Sequence, residues 1–208
     1  MTPQFATLDA LADEITEMGS HTAEYWAKQV HVVPKSAVVD RNTWLVQQAT
    51  GKTVLHIGCT GALDTALLKV ATKCYGFDTL PLERKDYTQV DCDRVKDQPL
   101  PVCEGVQLII CGEVLEHLSN PGYFLEGLKR AYPAVPVIFT VPNAFSSGGQ
   151  EWLVKRGREN VNADHVCYYS YTTIKELLRR AGYTICRFAW YHGKPYIAEG
   201  LIVEGRPI

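Results

Sequence analysis

The 208-residue sequence has almost no excess of charge of either sign. Its 21 Lys and Arg side chains nearly balance 23 Asp and Glu side chains, which leaves a formal charge of −2 at pH 7. A protein that attracts nucleic acid or an anionic membrane through its overall field carries a clear positive excess. The composition therefore does not favour nucleic acid as a partner, and any contact with a polyanion must be local.

Paired cysteines and long apolar runs are also missing. The seven cysteines are odd in number and scattered, with no Cys-x-x-Cys pair, so the sequence predicts neither a disulfide framework nor a zinc knuckle. No apolar run is long enough to span a bilayer, and the first residues lack the basic-then-apolar order of a secretory signal. We expect a cytoplasmic protein with no membrane span.

Strand and helix patterns alternate from Lys52 onward. The predicted strands cover residues 53–57, 73–77, 88–90, 106–110, 135–141, 183–191 and 197–204. The predicted helices between them cover residues 63–71, 121–131 and 170–181. This alternation predicts an α/β fold with a doubly wound, mostly parallel sheet. The long segment 142–169 carries no predicted element and is expected to form substrate loops.

The residues before Lys52 form a helical lead-in in this interpretation. Apolar residues recur at helical spacing over residues 5–15, and a second helix is predicted over residues 41–50, ending at Gly51. We therefore divide the chain into a lead-in or lid, residues 1–51, packed on a core domain, residues 52–208.

Polar residues and glycines follow three of the predicted strands. Gly58 and Gly61 follow the first strand, Asp78 closes the second, and residues 113–117 follow strand 106–110 with two carboxylates and an imidazole. The carboxyl ends of parallel strands meet at one crevice. Asp78 has the spacing of an acid that accepts from a ribose diol, and Asp91 is placed to accept from an adenine amino group. Because the full Gly-x-Gly-x-x-Gly pattern is absent, a nucleoside without phosphates fits this crevice best.

These segments resemble the class I S-adenosylmethionine-dependent methyltransferases whose core strand ends in Glu-Val-Leu-Glu-His. The resemblance is carried by residues 54–61, 112–121, 140–143 and 162–170, and it covers residues 52–191. It implies a Rossmann-like, seven-stranded methyltransferase sheet with an antiparallel C-terminal strand pair, and methyl transfer from S-adenosylmethionine. The candidate cofactor-binding residues are His56, Gly58, Cys59, Gly61, Asp78, Asp91 and Glu113.

The glycine turn departs from the family pattern Asp-x-Gly-x-Gly-x-Gly. His56 stands where the family generally has an acid, and the glycine pattern is shortened. The resemblance therefore implies that the methionine part of the cofactor is held differently in this chain.

Methyl transfer from a sulfonium mainly requires the acceptor to be held in line, and positioning can supply roughly 7–11 kcal/mol. A hydroxyl acceptor must also lose a proton, for which an imidazole is the commonest base. The candidate catalytic residues are His117, His165 and Glu116. No Asn/Asp-Pro-Pro-Tyr/Phe sequence follows strand 106–110, which argues against an exocyclic amine acceptor.

Glu113, Glu116, His117 and His165 also form a candidate metal site. Residues three and four apart share a helix face, and the pattern is similar to that of small-RNA terminal 2′-O-methyltransferases, which implies a divalent metal. Mixed oxygen and nitrogen ligands favour Mg²⁺ or Mn²⁺ over structural zinc. In the alternative without metal, Glu113 faces the cofactor, Glu116 interacts with the helix dipole and His117 packs beside it.

Three functions follow from these residues. The preferred one is O-methylation of a small polar acceptor, such as a sugar or glycan precursor. The first alternative is a metal-dependent RNA or nucleotide ribose 2′-O-methyltransferase, favoured if segment 150–162 is basic and open. The second is a non-catalytic scaffold that retains the fold but has lost turnover through its altered glycine loop.

Overall fold

A computed structural model describes residues 31–158 and 161–208, and Pro34–Ile208 forms one compact unit. The helix expected over residues 5–15 lies outside the described residues. Five α-helices are present in the described part: α1 (Arg41–Ala49), α2 (Gly61–Val70), α3 (Pro121–Ala131), α4 (Ser147–Arg156) and α5 (Tyr171–Arg180). Two short 3-10 helices cover Cys92–Arg94 and Leu115–His117. None of the described helices is long and apolar enough to cross a bilayer.

The described strands form one eight-stranded sheet. They are β1 (Val38–Val39), β2 (Thr53–Ile57), β3 (Lys73–Asp78), β4 (Tyr87–Gln89), β5 (Leu108–Gly112), β6 (Val137–Pro142), β7 (Tyr183–Tyr191) and β8 (Gly200–Pro207). Their order is β1-β7-β8-β6-β5-β2-β3-β4. The pairs among β2 to β6 are parallel, and β8 runs antiparallel to both β6 and β7.

The predicted fold class is confirmed, but the sheet has eight strands rather than seven. The additional strand, β1, is two residues long and pairs in parallel with the end of β7, where Val38 lies opposite Trp190. Two residues are too few to show a strand periodicity. The edge of the sheet therefore includes a piece of the segment that the sequence suggested was only a lead-in.

The central strands are buried because both faces of the sheet are covered. Continuous apolar runs such as those of β2 and β5 are typical of strands buried on both faces. On one face, Leu45 of α1 packs with Val54, Leu67 and Ile110 in a fully buried cluster. On the other, the hydroxyl of Tyr183 donates to a backbone carbonyl of α3 and its ring meets that of Phe139 edge to face.

Helix α4 lies where the sequence predicted only loops. All ten of its residues are at least partly exposed, so it has no apolar face whose periodicity would reveal it. Its ends are nevertheless well defined, because the Ser146 hydroxyl accepts from the Gly149 amide and Gly157 ends the helix in the left-handed conformation. The expected substrate loop is thus partly an exposed helix.

The strand order creates a crevice between β2 and β5. From β2 the chain builds outward through β3 and β4 in one direction, whereas β5 and β6 extend the sheet in the other. In doubly wound sheets ligands bind beyond the carboxyl ends of the strands at this reversal. The glycine turn after β2 and the 3-10 helix after β5 both lie at this edge.

Candidate active site

A cavity of about 680 Å³ lies beyond the carboxyl ends of β2, β3 and β5. Cavities of this size fit cofactors and other small ligands. Five of the seven predicted cofactor-binding residues line it, namely His56, Gly58, Asp78, Asp91 and Glu113. We call this space the cofactor cavity.

Asp78 and Asp91 stand at the β3 and β4 side of the cofactor cavity. One carboxylate oxygen of Asp78 accepts from the Leu80 amide at 2.9 Å, which fixes the side chain and leaves its second oxygen without a hydrogen-bond partner among the described residues. Asp91 caps the 3-10 helix that begins at Cys92 and accepts from the Asp93 amide at 3.0 Å. Both acids are therefore oriented by the backbone before any ligand binds.

The other two predicted cofactor residues, Cys59 and Gly61, do not line the cavity. Cys59 is buried, with its sulfur directed toward the space beside Gly76. Burial raises the pKa of the Cys59 thiol to about 11, so it stays protonated and unreactive at neutral pH. Gly61 begins α2 with a positive φ of 71°, and its contribution is to the turn of the chain.

Gly58 is required at the turn by two separate features. Its φ is +78°, and an added Cβ would lie 2.7 Å from Cγ2 of Val114 and 3.3 Å from the Gly112 carbonyl oxygen. The backbones after β2 and β5 therefore approach each other here because Gly58 has no side chain. The narrow contact forms the floor of the cofactor cavity.

We expect Gly58→Ala to destabilise the protein by more than Gly51→Ala does. Gly51 has a similar φ of +72° but no atom within 4 Å of a built Cβ, so it measures the backbone strain alone, about 1 kcal/mol. Gly58→Ala adds the clash with Val114, which we expect to cost about 1–3 kcal/mol more. Urea denaturation of both variants tests this, and equal losses would show that the close approach at Gly58 carries no energy.

A second cavity, of about 640 Å³, adjoins the first. We call it the acceptor cavity. Its walls come from the end of β6, from α4, from the segment 161–168 and from the end of β7. Arg41, Glu113 and Asn162 line both cavities. A ligand in one cavity therefore lies next to a ligand in the other.

Glu113 is fixed at the wall between the cavities. Its φ of 54° is unusual for a residue with a side chain. Its Oε1 accepts from the Thr140 hydroxyl at 2.8 Å and the Tyr191 hydroxyl at 2.9 Å, and it lies 3.2 Å from a guanidinium nitrogen of Arg41. Glu113 is thus engaged by protein groups from three different elements.

Glu116, His117 and His165 come together beneath this wall. Their ligand atoms lie within 4.8 Å of one another, and Glu113 does not belong to this group. The reason is local geometry, since residues 115–117 form a single 3-10 turn and Glu113 precedes it, so the four residues do not share a helix face. The predicted four-residue cluster is therefore a three-residue cluster in the structure.

The segment carrying His165 is attached to the same turn through the backbone. The Glu116 carbonyl accepts from the amides of Val166 and Cys167 at 2.8 and 3.2 Å, and the Tyr169 hydroxyl donates to the Leu115 carbonyl at 3.1 Å. These bonds place the His165 and His117 rings 4.6 Å apart, edge to face. His117 lines the cofactor cavity and His165 the acceptor cavity, so the pair connects the two.

Burial makes the charged forms of this cluster unfavourable. It raises the pKa of Glu116, which is fully buried, to about 8, and the nearby Glu113 charge adds to this effect. Burial, with the neighbouring His117, lowers the pKa of His165. The 4.0 Å approach of His165 to Glu116 is therefore between neutral groups. Neither carboxylate oxygen of Glu116 has a hydrogen-bond partner among the described residues.

Arg41 and Tyr191 are site residues that the sequence did not indicate. Arg41 opens α1, directly after the N-cap Asp40, and Tyr191 ends β7. A positive charge in the first turn of a helix opposes the helix dipole, and this was the one available signal for Arg41. Tyr191 has no such signal, because an aromatic residue ending a strand most often packs in a core.

A family model described as a methyltransferase domain matches residues 19–187. The chain belongs to this methyltransferase family. The match includes both cavities except for the end of β7 and the following turn. Together with the fold, it identifies the protein as an S-adenosylmethionine-dependent methyltransferase, as the resemblance of the motifs implied. The non-catalytic scaffold reading is not supported by this result.

Solved structures of other methyltransferases share the fold. Magnesium protoporphyrin IX methyltransferase from Synechocystis PCC 6803, with bound S-adenosylhomocysteine, is 18% identical with a TM-score of 0.56, covering 80% of each chain. A methyltransferase from Aquifex aeolicus is 19% identical with a TM-score of 0.57, covering 81% of this chain and 90% of its own. The small RNA methyltransferase HEN1 is 17% identical with a TM-score of 0.60, covering 86% of this chain and 27% of its own. No curated protein matches this methyltransferase significantly.

Proposed function

We propose that this methyltransferase transfers a methyl group to a hydroxyl of a small polar acceptor, such as a sugar or glycan precursor. The observation that carries the proposal is the position of the three-residue cluster. His117 lines the cofactor cavity, His165 lines the acceptor cavity, and the two rings are in contact above the buried Glu116. An acid–base group therefore lies where the transferred methyl must pass from one cavity to the other.

The residues divide the reaction into binding and proton removal. In this proposal Asp78 accepts from the ribose and Asp91 from the adenine, which fixes the adenosyl group and directs the methyl toward the acceptor cavity. Because its pKa is lowered, His165 is a neutral imidazole at neutral pH and is able to accept the acceptor hydroxyl proton. As the C–O bond forms and the carbon–sulfur bond breaks, this proton is transferred to His165.

A divalent metal fits the same cluster. Two buried carboxylate oxygens without partners, beside two imidazoles, offer the ligands that a Mg²⁺ or Mn²⁺ ion accepts. In this proposal Glu116, His117 and His165 would hold the ion, and its charge would lower the pKa of an acceptor hydroxyl. Glu113 already pairs with Thr140, Tyr191 and Arg41, so we place it in the wall between the cavities.

The lining of the acceptor cavity supports a hydroxyl-rich acceptor. Gln150 from α4, Asn162 and Glu199 contribute amide and carboxylate groups, which suit the alternating donors and acceptors of a sugar. Leu153 and Tyr168 line the cavity as well and are about half exposed. A sugar ring with a polar edge and an apolar face matches this combination.

One observation supports the ribose of an RNA or nucleotide as a second candidate acceptor. The segment that lines the acceptor cavity continues through Lys155, Arg156 and Arg158, all exposed, although Lys155 pairs with Glu151. Exposed cations beside an acceptor cavity are able to contact phosphates. The small RNA methyltransferase HEN1 shares the fold.

Transfer from S-adenosylmethionine carrying an isotope-labelled methyl group separates the two acceptors. We expect label on sugars or glycan precursors, at a rate that changes little with salt. Label on short RNA, with an affinity that falls steeply between 50 and 200 mM salt, would favour the ribose acceptor. Label on amines but not on hydroxyls would contradict both.

We expect Asp78→Ala to weaken S-adenosylhomocysteine binding by about 10- to 100-fold, because the ribose diol loses an ionised acceptor. The matched control is Asp97→Ala, since Asp97 is exposed and lines neither cavity. Calorimetric titration of both variants measures the effect. Unchanged affinity in Asp78→Ala would remove Asp78 from the cofactor site.

A further inference from the structure

A buried ionic cluster lies directly behind the glycine turn. It joins His56 at the end of β2, Asp64 in α2 and Arg84 in the segment between β3 and β4. Asp64 Oδ1 lies 2.8 Å from His56 Nδ1 and 2.8 Å from a guanidinium nitrogen of Arg84. The three side chains are 1%, 10% and 9% exposed, so solvent screens the cluster little.

The rest of the fold makes room for this cluster. A second guanidinium nitrogen of Arg84 donates to the Cys74 carbonyl at 2.6 Å. A Cβ built on Gly76 would lie 2.3 Å from Arg84, so the guanidinium occupies the space that a side chain on β3 would fill. Unpaired buried charges are costly, and an arrangement with contacts from three elements has a specific geometry to maintain.

The cluster determines which nitrogen of His56 is free. Arg84 already neutralises the Asp64 carboxylate, and a second buried cation would find no counter-charge in the cluster. A neutral His56 ring then donates Nδ1–H to Asp64, and the remaining nitrogen, Nε2, is an acceptor. His56 lines the cofactor cavity, and Nε2 has no hydrogen-bond partner among the described residues.

We propose that His56 binds the α-ammonium group of the cofactor's methionine part, and that Asp64 and Arg84 are positioning residues that hold its ring. The proposal rests on the cofactor site proposed above, in which Asp78 and Asp91 take the adenosine at the β3 and β4 side. The methionine part then extends toward the end of β2, where His56 lies. The acceptor that the family places on the strand, an acid, is here an imidazole backed by an acid on α2.

Three ligands separate this role from a purely structural one. S-adenosylhomocysteine carries the α-ammonium group, its desamino analogue lacks that group alone, and 5′-methylthioadenosine lacks the whole amino-acid part. We expect His56→Ala and Asp64→Asn each to weaken S-adenosylhomocysteine binding by about 10-fold or more. We expect both variants to bind the other two ligands with wild-type affinity, and this binding also shows that the variants are folded.

Other outcomes have distinct meanings. If the variants lose affinity for all three ligands equally, or keep full affinity for S-adenosylhomocysteine, the proposal is overturned. If the desamino analogue loses as much affinity as S-adenosylhomocysteine, His56 binds the carboxylate, and the assignment to the ammonium is wrong. If the wild-type protein binds none of the three ligands, the failure lies in the proposed cofactor site itself. His56→Gln replaces His56→Ala if the latter does not fold.

Discussion

Glu116→Gln and His165→Gln should each lower the rate of methyl transfer by about 10²- to 10⁴-fold, the usual loss when acid–base catalysis is removed. The affinity for S-adenosylhomocysteine should change by less than about threefold, because neither residue lines the cofactor cavity. Both substitutions keep the size of the side chain close to the original. The measurement is single-turnover transfer of a labelled methyl group, beside a calorimetric titration of each variant.

The matched control is Glu126→Gln, which makes the same change on the exposed side of α3. It should leave both transfer and binding unchanged. A parallel loss of cofactor affinity and transfer in Glu116→Gln or His165→Gln would contradict the division between binding and proton removal. A normal rate of transfer in both variants would place the reaction elsewhere.

Glu116 should also make the stability of the metal-free protein fall as pH rises. Its folded pKa, about 8, is above the ordinary value of 4.5 because of burial, so between these values the folded state holds a proton that the unfolded state has released. Stability from this group is fully present below pH 4.5 and is lost as pH rises through 8. The total effect is on the order of 3–4 kcal/mol.

Thermal unfolding of wild-type protein and Glu116→Gln in EDTA, at pH 5.5 and at pH 8.5, measures this effect. The glutamine stays neutral at both values, so the variant should gain several degrees in Tm over the wild type at pH 8.5 and much less at pH 5.5. Adding Mn²⁺ at pH 8.5 should raise the Tm of the wild type and not that of the variant. A constant difference in Tm across pH would show that Glu116 is solvated or paired.

The sequence predicted the elements whose pattern is local. The helix over residues 121–131 begins at Pro121, which suits the first turn of a helix, and the structure gives it the same bounds. β7 is also predicted to the residue, because its apolar run is long and bounded by glycine signals. In contrast, α4 has no apolar face and β1 is only two residues long, so neither produces a periodic signal.

The site was predictable where residues follow strands and was not where contacts are remote. Asp78 and Asp91 line the cofactor cavity because they end or follow strands of the parallel sheet. The contacts of Arg41 with Glu113, and of Arg84 with Asp64, join residues 72 and 20 positions apart, and no local pattern encodes such a pair. Glu113 left the predicted metal cluster because three residues in a 3-10 turn replace the helix that the spacing implied.

Calorimetric titration of the wild-type protein with S-adenosylhomocysteine in EDTA tests the central claim most directly. The account predicts one binding site per chain, formed at the ends of β2, β3 and β5, with binding strongly weakened in Asp78→Ala and retained in Glu116→Gln. Absence of binding for S-adenosylhomocysteine and S-adenosylmethionine, with or without added Mn²⁺, would contradict the assignment of this cavity to the cofactor.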